Sequence, residues 1–173
     1  MTAGRKVNTS SQNWCTPPKY TVPIKEFFGG TIELDPCSND ESVVGAEISL
    51  TTGGLEYDWG KAKTVYVNPP YGRGIGSTIY DWLKKCHEAK TEVIALIPVA
   101  TNTRHWKDFV FKSSVICFLD DTRLKFLING NTNNKGASMS CCLIYWGSRS
   151  GDFIEKFSDF GTCVTITVTG SRL

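Results

Sequence analysis

A chain of 173 residues can bury a substantial core but is short for two domains, so one domain over 14–173 is expected behind a polar, mobile tail at 1–13. Apolar residues at 40% and charged residues at 21% exclude a disordered chain, and no apolar run approaches the roughly 20 residues of a transmembrane helix. A net charge of +2 is too small to advertise nucleic-acid binding on its own.

The opening stretch "MTAGRKVNTSSQ" lacks the apolar centre of a signal peptide, which predicts a cytoplasmic protein. Strand-like runs follow in "TIEL" (31–34), "AEISL" (46–50) and "TVYV" (64–67). After the third, "STIYDWLKKCHEAK" places Ile79, Trp82, Leu83 and Cys86 at helical spacing, with Ser77 as a plausible N-cap. The run "VIALIPV" (93–99) precedes a helix candidate, "TRHWKDFVFK", and then come "VICFL" (115–119) and "LKFLI" (124–128). The polar loop "NGNTNNKGAS" (129–138) has only Ala137 to bury and is either a hairpin tip or a ligand-contacting loop. "MSCCLIYW" (139–146), the helix candidate "DFIEKFSDF" and "VTITV" (164–168) complete the series. Several runs are continuously apolar, as strands covered on both faces are. Their alternation with helices predicts an α/β fold with a mixed, mostly parallel central sheet. The seven cysteines are an odd set without C-x-x-C spacing, so reduced, mostly buried thiols are expected rather than disulfides or a metal site. His87 and His105 read as structural residues.

Ligands of open α/β sheets bind beyond the carboxyl ends of the strands. Two stretches fall there: "ELDPCSND" after the first run and "NPPY" after the third. Proline fixes its own φ and pushes the preceding residue toward extended geometry, so Asn68, Pro69 and Pro70 form a stiff strut. The Asn68 amide oxygen and the Pro69 carbonyl are two acceptors at a set separation, and Tyr71 adds a flat face. That combination suits a planar group bearing an NH2, such as the exocyclic amine of a nucleobase. The following "GRGIG" lacks the G-x-G-x-x-G spacing of a dinucleotide loop and reads as a flap carrying Arg73.

"NPPY" resembles the catalytic motif of S-adenosylmethionine-dependent amino-methyltransferases, and its neighbours narrow the resemblance to the phage-type DNA adenine-N6 methyltransferases, a Dam-like family. "WCTPPKY" is similar to the family's W-x-T-P element, "IELDPCSND" to its L-D-P cofactor motif and "GLEYDW" to the G-L…W segment before the catalytic motif. "LIPVATNTRHW", "RLKF" and "GASM" extend the resemblance, which runs in the family's order from about Trp14 to Trp146. It implies a single-domain, Rossmann-like methyltransferase fold, S-adenosylmethionine as cofactor, double-stranded DNA as partner, no metal, and the host cytoplasm as location if the chain is phage-encoded. Asn68, Pro69, Pro70 and Tyr71 are then the catalytic set. The implied cofactor set is Thr16 and Pro17 at the methionine end, Asp35 at the amino group, Pro36 and Cys37 beside it, Glu47 at the ribose, Asp58 at the adenine moiety, and Asn68.

The chain departs from the family pattern at Ala100 and Asn102, where arginine and aspartate are usual, and in the glycine-poor "CSND" after the first strand. Arg73, Arg104, Arg123, Lys125 and Lys135 are candidate phosphate contacts, and the loops at 72–76 and 129–138 are candidates for reading the target sequence. N6 of adenine is unreachable inside a stacked duplex, so the base would be flipped into the pocket and stacked on Tyr71. Two alternatives stay open: the same motif acting on RNA or protein glutamine, and a catalytically silent methyltransferase fold that binds DNA.

Overall fold

The computed structural model describes residues 14–71, 78–121, 123–128, 131–132, 137 and 139–167. In chain order its elements are α1 (Pro18–Phe27), β1 (Leu34–Asp35), β2 (Ile48–Ser49), β3 (Thr64–Val67), α2 (Ile79–Glu88), β4 (Glu92–Pro98), α3 (Arg104–Asp108), β5 (Val115–Leu119), β6 (Leu127–Ile128), β7 (Asn131–Thr132), β8 (Cys141–Trp146), α4 (Ser150–Phe157) and β9 (Gly161–Val164). Short 3-10 turns occupy Trp59–Lys61 and Val110–Lys112.

Seven strands form one sheet in the order β2-β1-β3-β4-β8-β5-β9. The first four are mutually parallel, and β8 runs antiparallel to both of its neighbours, β4 and β5. β5 therefore points the same way as β4, and β9 reverses again at the edge. Five strands thus share a direction and bring the carboxyl ends of β1, β3, β4 and β5 to one edge. This is the mixed, mostly parallel sheet that the apolar runs predict.

Alternate residues of the central strands enter opposite cores. Tyr66, Ile94, Leu96, Cys117, Leu143 and Tyr145 pack on one face with Tyr20, Ile24 and Phe27 of α1 and Phe153 and Phe157 of α4. Val65, Val67, Ala95, Ile97, Ile116 and Ile144 pack on the other with Trp82, Leu83 and Cys86 of α2 and Trp106 of α3. Burial on both faces explains why these strands read as unbroken apolar runs.

Several elements differ from the sequence reading. α1 lies outside the predicted helices because Pro18 and Pro23 resemble turn residues. Yet Pro18 opens the helix, where a missing N–H costs nothing, and the buried Tyr20, Ile24 and Phe27 hold it to the sheet despite Pro23. The cap of α2 is Thr78 rather than Ser77, which lies outside the described residues; the Thr78 N–H donates to the Asp81 carboxylate at 2.8 Å. The run at 124–128 does not join the sheet: β6 pairs with β7 as a separate hairpin, and Cys15 bridges Leu127. β9 starts at Gly161, earlier than "VTITV", because the turn after α4 delivers the chain there. A Cβ on Gly161 would overlap the Phe118 carbonyl oxygen, so only glycine permits that approach. Among the described residues, no helix is long and apolar enough to cross a membrane.

Candidate active site

β3 is buried at all four positions and ends where Asn68 and Pro69 begin, so the strut leaves the sheet at its carboxyl edge. The Asn68 amide nitrogen donates to the Trp14 carbonyl at 2.9 Å. A carbonyl can only accept, so this bond fixes the amide orientation and turns Oδ1 the other way. There Oδ1 accepts from the Tyr71 hydroxyl at 2.7 Å. The same hydroxyl lies 2.9 Å from the Leu96 carbonyl oxygen of β4, so its one proton is shared between two acceptors. Burial holds the Tyr71 phenol well above its ordinary pKa, which keeps that proton in place. Trp14 and Phe126 pack with ring centroids 5.3 Å apart, and each meets Tyr71 at 6.4 Å, making an aromatic wall. Pro69 is buried and Pro70 exposed.

Beside this strut, β1 ends in Asp35, whose side chain is 3% exposed. Its Oδ1 accepts from the Cys37 N–H at 3.2 Å, and no cationic side chain pairs with it among the described residues. Burial pushes the carboxyl up to about 6, against lowering contributions from the Cys37 backbone and the Ser38 side chain. The Asn68 backbone N–H faces the Cys37 sulfur, which joins the two strand ends. Pro36 is buried and Cys37 half-buried. Thr16 reaches the same neighbourhood from the N-terminal segment, its hydroxyl 2.6 Å from that of Tyr66 on β3. Pro17 is the residue before α1. The Cys15 thiol donates to Asn39 at 3.3 Å, closing the segment over the loop that follows Asp35. Thr16, Asp35, Pro36, Cys37, Asn68 and Tyr71 are therefore brought together.

The structure does not bring Glu47 or Asp58 into that group. Glu47 is exposed and precedes β2, on the amino side of the level at which Asp35 pairs with Ser49. Asp58 is exposed, and its carboxylate caps the Trp59–Lys61 turn by accepting the Gly60 N–H at 3.0 Å. The residues of the site that sequence reasoning missed are Trp14, Tyr66, Leu96 and Phe126. Leu96 acts through its backbone carbonyl, which carries no sequence signal, whereas Trp14 and Phe126 lie inside quoted motifs without an assigned task.

Of the candidate phosphate contacts, Arg123 and Lys125 are exposed and alternate with buried Leu124 and Phe126, so they stand on the outer side of the aromatic wall. Arg104 is on α3, 81% exposed, paired with Asp108 at 3.2 Å and lying over the Tyr80 ring. Arg73 and Lys135 lie outside the described residues, as do 72–77 and most of 129–138. Ala137 is buried, and its N–H donates to the Leu124 carbonyl at 2.7 Å, so that loop is anchored at this point. Ala100 accepts the Thr103 hydroxyl through its carbonyl, and Asn102 is exposed. No cluster of three or more metal-ligating side chains occurs among the described residues.

No curated protein and no solved structure matches the chain. A family model described as DNA N-6-adenine-methyltransferase (Dam) matches residues 5–153, a span containing every strand end assembled above. A match over most of the length places this chain in the DNA N-6-adenine-methyltransferase (Dam) family.

Proposed function

We propose that this protein transfers a methyl group from S-adenosylmethionine to N6 of adenine at a specific site in double-stranded DNA. The observation that carries the reading is the fixed Asn68 amide: Trp14 takes its N–H, so its oxygen is presented as an acceptor beside the aromatic wall. The Pro69 carbonyl accepts no hydrogen bond from the described residues and is the second acceptor of the strut. Adenine N6 is a poor nucleophile because its lone pair is delocalised into the ring. Donating its two hydrogens to Asn68 and Pro69 favours a pyramidal nitrogen with a directed lone pair, which is orientation and electrostatic preparation rather than covalent catalysis. Tyr71 can yield Asn68 Oδ1 to the incoming amine without losing a partner, because the Leu96 carbonyl remains within reach of its hydroxyl.

The cofactor, when bound, supplies an electrophilic sulfonium methyl group. Its ammonium fits Asp35, a buried carboxylate that has no cationic partner among the described residues, with Thr16, Pro36 and Cys37 near that position and Pro17 following Thr16. The base enters by flipping out of the duplex, a cost of a few kcal/mol that stacking on Tyr71 and backbone contacts from Arg123 and Lys125 offset. The deciding experiment offers the purified protein S-adenosylmethionine labelled in the methyl group with duplex DNA, RNA and a glutamine-bearing peptide. The expected product is N6-methyladenine in DNA. Label in RNA or peptide alone moves the activity to another acceptor, and label nowhere leaves a silent binding module.

A further inference from the structure

"GLEYDW" lies between β2 and β3 and has no task in the reaction described so far. We infer that this segment, knotted by Lys85 of α2, is the device that sets Asp35 and Pro36 in position for the cofactor, with Gly54 and Lys85 as positioning residues. The inference rests on the cofactor reading above.

Gly54 is buried against the backbone of Pro36: a Cβ there would overlap the Pro36 carbonyl oxygen and press on the Trp82 ring at 3.0 Å. The residue after Asp35 is thus seated directly on this glycine. Gly54 is in turn held by Trp59, whose indole N–H donates to its carbonyl at 2.9 Å. Trp59 is itself buried on Trp82, with ring centroids 6.4 Å apart. Lys85 closes the knot. Its ammonium donates to the carbonyls of Leu55 and Tyr57, the latter at 2.7 Å, and lies 5.2 Å over the Trp59 ring. Two carbonyls and an aromatic face converging on one point call for a cation with several donors, which an ammonium supplies. Burial lowers the Lys85 pKa against the raising effect of the Glu56 and Asp58 charges, neither of which comes within ion-pair distance of the ammonium. The direct contacts of the charge are therefore loop carbonyls and a ring, with those carboxylates acting at longer range.

The functional link is geometric. Among the described residues, the Asp35 carboxylate receives short-range hydrogen bonds from the two residues that follow its neighbour Pro36, so the seat of Pro36 controls where that carboxylate stands. Lys85 belongs to the helix that begins beyond the Asn68–Tyr71 strut, so one element serves both halves of the site.

The test measures S-adenosylmethionine affinity by calorimetry, together with melting temperature and turnover at saturating cofactor, for Lys85→Met, Lys85→Gln, Gly54→Ala and Asp35→Ala. Lys85→Met is expected to weaken cofactor binding about tenfold and to leave saturated turnover within about twofold, since a displaced rather than a missing group is the defect. Lys85→Gln keeps two donors and should lose less, and it carries the comparison if the methionine variant does not fold. Gly54→Ala should weaken binding at least as much as Lys85→Met. Unchanged affinity in folded Lys85→Gln and Gly54→Ala, with only the melting temperature lowered, reduces the knot to a structural feature and overturns the inference. Asp35→Ala separates the two levels: if it also binds normally, the cofactor reading is what fails.

Discussion

Two carboxylates sit at opposite ends of the same sheet and have opposite surroundings. Glu92 opens β4 at the amino edge, where Arg149 grips it through Nε at 3.0 Å and Nη2 at 2.6 Å and the Tyr145 hydroxyl donates to it as well. Arg149 also donates to the Phe27 carbonyl at the end of α1 and lies 4.2 Å over the Phe27 ring. Burial pushes Glu92 up, but the hydrogen bonds and charge of Arg149 outweigh it, and its pKa is lowered. Asp35, at the carboxyl edge, is more deeply buried, has no cationic partner among the described residues and is pushed up to about 6. The amino edge satisfies its charge within the chain and staples α1, β4, β8 and α4 together. The carboxyl edge leaves a charge to be satisfied from outside, which is how a fold keeps affinity for a cationic ligand group.

The largest expected effect is at Asn68. Asn68→Ala removes an interaction made chiefly in the transition state, so turnover should fall by about 10²–10³ while cofactor and DNA still bind. Single-turnover methylation at close to the wild-type rate would falsify the role given to the amide. Tyr71→Phe keeps the ring and loses only the shared proton, so it should cost far less than Asn68→Ala and separate stacking from polar contact.

Next come the two carboxylates themselves, with effects that should cross. Asp35→Ala should weaken S-adenosylmethionine binding by about 2 kcal/mol, the scale of a lost charge-assisted hydrogen bond. Because it also removes a buried charge that has no cationic partner among the described residues, the apo variant should be no less stable than the wild type near neutral pH. Arg149→Ala should do the reverse and lower stability by about 1–2 kcal/mol, discounted for a guanidinium partly open to solvent, with cofactor affinity unchanged. A destabilised Asp35→Ala apo protein, or an Arg149→Ala variant with impaired cofactor binding, breaks the division between the edges.

The same contrast fixes the sign of two pH dependences. The folded pKa of Asp35 lies above the ordinary value of 3.8, so between about 4 and 6 the folded apo protein binds more protons than the unfolded chain and loses stability as pH rises. Cofactor affinity should move oppositely in that window, rising through about 6 as the carboxylate ionises and then levelling. Glu92 has a lowered pKa, so its contribution is present above the unfolded value near 4.5 and is lost as pH falls through the folded one. Chemical denaturation of wild type, Asp35→Asn and Glu92→Gln across pH 3–8 on the order of unit steps checks both signs. The wild-type loss between pH 4 and 6 should vanish in Asp35→Asn alone.

How much of this was legible depends on whether side chains or backbone carried it. The central strands were readable because both faces are apolar, and so was the position of Asp35 at the end of one strand and of Asn68 directly after another, whereas Thr16 reaches their neighbourhood from the segment before α1. α1 was hidden by Pro18 and Pro23, although Tyr20, Ile24 and Phe27 already stood at helical spacing. The carbonyls of Trp14, Leu96 and Pro36 do much of the positioning, and any residue type supplies a carbonyl. Glu47 and Asp58 show a different limit: a carboxylate near a motif invites a ligand role, and the fold leaves both exposed, with one oxygen of Asp58 capping a turn. Gly54 and Lys85 needed the fold, since one is 31 residues from the other and only packing reveals that they share a seat for Pro36.

The smallest expected effect concerns the cations. Arg149 is committed to Glu92 at the amino edge, and Arg104 to Asp108 and Tyr80, whereas Arg123 and Lys125 make no ion pair among the described residues. Their alternation with buried Leu124 and Phe126 keeps both on the outer side of the wall where a flipped base would stack. A cation without a direct ion pair can neutralise a phosphate at little cost, Lys125 having only the longer-range field of Asp121 to give up, while Arg104 would have to break its own pair. Lys125→Ala should therefore weaken DNA binding by about 1 kcal/mol or less at moderate salt and reduce the salt slope by about one, uniformly across sequences. Arg104→Ala should change the slope less. Equal slopes for wild type and Lys125→Ala would move the DNA off this face, and the contrast between the edges would then hold for the carboxylates alone.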